Sequence, residues 1–152
     1  MSIMLTKQGY EKIINELHKL IDIDRPLACK MMEESRPVGV IEDNPEYMQA
    51  LDNQNRIDKK IVDLRNIINN CSIFEKPKNK PSEISFGVSV KFINCNTDEI
   101  KEYKIVSVYE SNINNGLISI ESPFVRNIIG MEIGEVFEFN DIEYEIIDLN
   151  YF

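Results

Sequence analysis

The chain has 152 residues and a formal net charge of −9, enough for one ordinary domain or two small ones. Its apolar content is 43 %, with only six Gly and six Pro, which excludes a largely disordered chain. No stretch approaches the ~18 uninterrupted apolar residues of a membrane span, and residues 1–6 lack the basic and apolar regions of a secretory leader, so a cytoplasmic location is expected.

Cys29, Cys71 and Cys95 are far apart, with no Cys-x-x-Cys pair. This argues against a disulfide framework or zinc site and for reduced thiols. His18 is the single histidine, too few for a metal site or a triad, and reads as structural or surface. The charge is unevenly placed: residues 81–152 carry 4 basic and 13 acidic side chains, which accounts for the whole imbalance. Such a surface repels phosphates and disfavours direct nucleic-acid binding by that half. A protein partner and simple solubility explain the acidity equally well.

The first predicted element is a long amphipathic helix capped by Thr6. Tyr10, Ile13, Leu17, Leu20, Asp24, Leu27 and Met31 recur at alternating steps of three and four, a heptad seam broken only by Asp24. Pro26 removes a backbone donor and is expected to bend the helix. A second helix starts at Asn44-Pro45, a cap followed by proline at the first helical position. Its seam reads Tyr47, Ala50, Gln54, Ile57, Ile61, Leu64, Ile68, Cys71. Two such seams joined by a short segment predict an antiparallel αα-hairpin, a finger with arms of about 25–30 residues, on the order of 40 Å long.

Residues 72–74 read as an extended exit, and the proline-punctuated, basic residues 76–82 as a linker. Beyond it the period becomes two. Strands are predicted at 88–92, 102–109, 117–120, 136–139 and 144–149, with turn chemistry at Asn114-Asn115-Gly116 and Asn140-Asp141. Ser122, Pro123 and Gly130 frame one short helix, whose Phe124, Ile128 and Ile129 are expected in the core. The predicted fold is α+β: a coiled-coil finger (1–75), a linker (76–82) and a small antiparallel sheet domain with one helix (83–152).

The loop between the helices places Glu42, Asp43 and Glu46 where the chain reverses. Carboxylates there can ligate a divalent cation beside waters, or favour the positive end of the second helix dipole. On the residues alone the helix-start reading is the stronger.

Several motifs bear on this choice: Thr6-x-x-Gly9, Arg25-Pro26, Arg36, the tip Gly39…Asp43-Asn44-Pro45-Glu46-Tyr47, and Ile118-Ser119-Ile120-Glu121-Ser122-Pro123 followed by Gly130. Through them the chain resembles the bacterial Gre-type transcript cleavage and elongation factors over essentially its full length. The resemblance implies an FKBP-like second domain that grips the rim of the RNA polymerase secondary channel while the finger enters it. Tip acids would help the polymerase, by its own two-metal chemistry, hydrolyse backtracked RNA. The factor itself would be no enzyme.

The carried-over tip acids are Asp43, Glu42 and Glu46. Asp43 would share a polymerase Mg²⁺, and no cofactor is expected on the chain alone. Arg36, Gly39, Asn44, Tyr47, Ser119, Ser122 and Pro123 would meet the partner. The nascent RNA 3′ end would be reached indirectly and DNA only through the complex, with no membrane role; a monomer is expected. The family's first tip acid falls on Val40, which cannot ligate a metal, and Asp43 stands where glutamate is usual. The alternative is therefore a cleavage-deficient homologue that occupies the channel and modulates transcription.

Overall fold

The computed structural model describes residues 3–36 and 44–152. They fall into two compact units, one built from residues 10–71 and the other from residues 3–9 with 72–152. Secondary elements follow the expected order, a helical hairpin and then a sheet.

The hairpin's first arm is α1 (Lys7–Lys19), a π-helical turn (Leu20–Asp24) and α2 (Arg25–Glu34). Its second arm is α3 (Pro45–Asn69), 25 residues and so about 37 Å long. The α3 seam is the one read from the sequence: Ala50, Ile57, Ile61 and Leu64 are buried, with Tyr47, Gln54, Ile68 and Cys71 half-buried. The first arm follows its predicted seam only through Ile13, Leu17 and Leu20.

There the helix widens by a π turn. The Arg25 N–H reaches back five residues to the Leu20 carbonyl. Pro26 has no N–H to give, and its ring would crowd the carbonyl four residues back in a regular helix; the wider turn accommodates it. One extra residue per turn rotates everything beyond it. Ala28 is 1 % exposed, whereas Leu27 is 55 % and Met31 49 % exposed, so the expected Leu27 and Met31 seam positions are corrected to Ala28 and Met32. Lys60–Glu16 (2.7 Å) and Arg25–Asp58 (3.2 Å) join the arms as exposed ion pairs, which contribute little beside the seam.

The second unit holds a five-stranded sheet, ordered β5-β4-β3-β7-β6. Its strands are β3 (Val88–Asn94), β4 (Ile100–Val106), β5 (Leu117–Ser119), β6 (Val136–Phe139) and β7 (Ile142–Tyr151). Three pairings are antiparallel, but β4 and β5 run parallel, a detail that side-chain alternation cannot reveal. The predicted strand 102–109 ends at Val106 because Ser107 caps a 3₁₀ turn, Val108–Glu110. A second 3₁₀ turn, Ile113–Asn115, then carries the chain to Gly116, left-handed at φ 74°. Asn140 and Asp141 both take positive φ between β6 and β7, as a tight two-residue hairpin requires.

The short helix α4 (Pro123–Ile128) lays Val125 and Ile128 on the sheet core of Val90, Phe92, Ile105, Ile146 and Leu149. Ile129 lies just past its end and is 45 % exposed, which corrects its expected core placement.

Two short strands outside the main sheet, β1 (Ile3–Leu5) and β2 (Cys71–Ile73), pair with each other. The Phe74 N–H bonds the carbonyl of fully buried Leu5 at 2.8 Å. The Phe74 ring packs 5.6 Å from Phe86 and 6.0 Å from Tyr151, and a Cβ on Gly87 would collide with it.

Glu110 ties down the start of the chain. Its carboxylate accepts from the Thr6 N–H (3.2 Å), the Thr6 hydroxyl and the Ser107 N–H (3.3 Å). Thr6 caps α1 as expected, accepting from the Gly9 N–H at 3.1 Å. A Cβ on Gly9 would strike the Glu110 carboxylate, so glycine is what lets the first helical turn sit against this acid. Within the segment read as a linker, Lys80 donates to Asp148 at 2.7 Å.

Three predictions follow from these contacts. Ile61→Ala should cost about 2–4 kcal/mol in urea unfolding, while Leu27→Ala stays within about 0.5 kcal/mol; a large Leu27 effect would refute the shifted register. Glu110→Gln should cost about 1–3 kcal/mol by leaving donors unpaired, also read by urea unfolding.

The third concerns pH. The Lys80 ammonium, then the Asn150 amide, hold the Asp148 carboxyl below its ordinary value of 3.8, against a smaller opposing effect of burial. A depressed carboxylate stabilises the fold above its ordinary pKa, and this is lost as pH falls through the lowered one. Lys80→Met should raise the Asp148 midpoint toward 3.8 in an NMR titration.

Candidate functional site

At the end of the hairpin two helix termini face a common problem: α2 ends with unpaired carbonyls and α3 begins with unpaired N–H groups. Ser35 and Asn44 solve it together. The Ser35 N–H and hydroxyl both donate to the Met31 carbonyl, at 3.1 and 2.7 Å. Asn44 uses both halves of its amide. Its Oδ1 accepts from the Tyr47 N–H at 3.1 Å, and its Nδ2 donates to the Ser35 carbonyl at 3.1 Å. Pro45 occupies the first helical position, where no donor is needed.

Around this junction the arms leave grooves. One, of 610 Å³, is lined by Glu34 and Glu46 with Met31, Ser35, Gln49 and Ala50. Another, of 220 Å³, is lined by Arg36 and Tyr47 with Cys29, Glu33 and Gln54; the Gln54 amide donates to the Cys29 sulfur at 3.4 Å. Glu46 is exposed in the first turn of α3, where the helix dipole favours a carboxylate.

Of the expected site residues, the structure thus gathers Arg36, Asn44, Glu46 and Tyr47. Gly39, Val40, Glu42 and Asp43 lie outside the described residues. Among the described residues no group of three or more His, Cys, Asp or Glu side chains could hold a metal ion.

The other expected contact residues lie in the second unit. Ser119 is buried and its hydroxyl accepts from the Glu121 N–H (3.1 Å); Ser122 caps α4 by accepting from Val125 (3.2 Å). Ser122 and Pro123 also line an open cleft of 360 Å³ walled by Phe92, Tyr103, Phe124 and Phe139. Within the cleft Phe124 meets Tyr103 and Phe139 edge to face, its ring 5.1 Å from that of Phe139. Lys101 and Asn140 supply its polar rim.

The sequence reading missed Ser35, Glu34 and these aromatic walls. The strand alternation that puts Phe92 and Phe139 on one sheet face was readable, but which faces meet was not.

The family described as "Transcription elongation factor, N-terminal" matches residues 3–73, and "Transcription elongation factor, GreA/GreB, C-term" matches residues 78–151. The chain belongs to the GreA/GreB transcription elongation factor family.

Among curated relatives of this family, "Transcription elongation factor GreA" of Thermodesulfovibrio yellowstonii is 34 % identical over 153 residues, covering 98 % of this chain and 97 % of that protein. Its counterpart in Nautilia profundicola is 35 % identical over 136 residues, covering 90 % and 84 %. The crystal structure of GreA factor homolog 1 (Gfh1) of Thermus thermophilus aligns over 99 % of both chains, with 22 % identity and a TM-score of 0.46. No helix among the described residues is long and apolar enough to cross a membrane.

Proposed function

We propose that this family member acts on RNA polymerase through its secondary channel and helps rescue backtracked complexes by stimulating the polymerase's own RNA cleavage. The observation that carries the reading is the hairpin itself. A 25-residue helix closes against its partner arm by a buried seam and carries exposed Glu46 in its first turn. A two-helix probe of this kind delivers a few side chains deep into a narrow opening while its buried seam keeps it from collapsing.

In this reading Glu46 and, outside the described residues, Glu42 and Asp43 are the groups delivered. Mg²⁺ belongs to the polymerase, and Asp43 adds a carboxylate to it. The factor is accessory and performs no hydrolysis alone. The second unit grips the rim, with Ser122, Pro123 and the aromatic cleft beside them as the contact surface. Its excess of acidic side chains suits a basic protein rim and disfavours direct contact with DNA or RNA.

A second reading rests on Val40, which stands where the family tip carries its first acid. With that carboxylate missing, the chain would occupy the channel without promoting cleavage and would modulate transcription instead. The two readings share partner and surface and differ in one measurement.

Stalled polymerase complexes with extruded RNA 3′ ends are incubated with wild type and Val40→Asp. The cleavage reading expects faster RNA shortening with wild type than with polymerase alone. No acceleration at saturating protein sinks it, and recovery in Val40→Asp then assigns the loss to that residue. Failure to co-purify with core polymerase would reject both readings.

A further inference from the structure

We propose that Asn44 is a positioning residue of the finger's end, acting through a bond that its cap role does not require. This rests on the cleavage reading above for its consequence, but not for its existence.

An N-cap needs one acceptor, and Asn44 Oδ1 supplies it to Tyr47. Aspartate or serine would do this equally well. Asparagine alone among these adds an amide donor, and here that donor is spent on the Ser35 carbonyl at the far side of the loop, nine positions away in sequence. Ser35 is itself held, its hydroxyl and N–H both committed to Met31 on the last turn of α2. The result is a continuous chain of hydrogen bonds from Met31 through Ser35 and Asn44 to Tyr47, running from one helix terminus to the other.

This bridge sets the separation and orientation of the two helix ends across the reversal. It therefore fixes how Glu34 and Glu46, which line one groove from opposite arms, are presented. Among the described residues, the buried seam positions nearest the finger's end are Ala28 and Ala50, whose methyl groups restrain little. Oδ1 and Nδ2 of Asn44 are thus each engaged within the chain.

The cap and the bridge separate by substitution. Asn44→Asp and Asn44→Ser keep the acceptor for Tyr47 and lose the donor to Ser35; the serine variant controls for added charge. Two readouts are needed. In the free protein, the Ser35 carbonyl ¹³C resonance should shift in both variants while the thermal midpoint stays near wild type. With backtracked polymerase, the saturating cleavage rate should fall on the order of tenfold, since small misplacements of reacting groups are costly; the half-saturating concentration should change far less.

An unmoved Ser35 carbonyl overturns the bridge whatever the cleavage assay gives. A moved carbonyl with an undiminished saturating rate overturns the positioning role. If wild type itself gives no acceleration, the cleavage reading falls and the positioning role falls with it, while the carbon shift still decides whether the bridge exists.

Discussion

The carboxylate of Glu110 is the contact on which the organisation of this chain turns. It lies 104 positions from Thr6 in sequence yet accepts from both its N–H and its hydroxyl. Three donors converge on one side chain, and charge-assisted bonds of this kind are stronger than neutral ones. Residues 3–9 lie in the same unit as the sheet, although the chain then continues into the hairpin. The strand pairing of Ile3–Leu5 with Cys71–Ile73 and the Phe74 to Leu5 bond act on the same segment. Ile3–Leu5, Cys71–Ile73 and Phe74 are thus joined to one another by backbone hydrogen bonds.

Much of this fold is legible in the sequence where one local rule suffices. Asn44-Pro45 announces a helix start because cap acceptor and fixed φ are needed at successive positions. The α3 seam holds because 25 uninterrupted residues keep one phase. The first arm breaks that phase. Pro26 is visible, but the heptad pattern around it does not show that the turn before it takes one extra residue. The strand ending at Val106 instead of residue 109 turns on Ser107 choosing a cap over a ladder bond. The parallel placement of β5 and the β1–β2 pair depend on partners distant in sequence, which no window contains.

The candidate site divides the same way. Arg36, Asn44, Glu46 and Tyr47 stand within a dozen positions of one another, so a reversal was bound to collect them. The aromatic cleft draws on Phe92, Tyr103, Phe124 and Phe139, whose meeting needs the whole sheet and helix to form first. Asn44 shows a subtler gap. Its acceptor role follows from its place before a helix, but its donor role requires knowing where the Ser35 carbonyl points.

The π turn at Leu20–Asp24 carries a consequence for the girth of the finger. Each residue added to a helix advances the azimuth of all that follow by about 100°. With this insertion the arm beyond Asp24 turns alanine inward and leucine outward, and small residues, Ala28 and Ala50, are what both arms bury there. Helices that meet through small side chains approach more closely than those separated by leucines. Closing this turn to regular α-helix with the residue count unchanged would bring Leu27 and Met31 inward and force the arms apart. The width of a single turn thus sets the calibre of the finger's distal half.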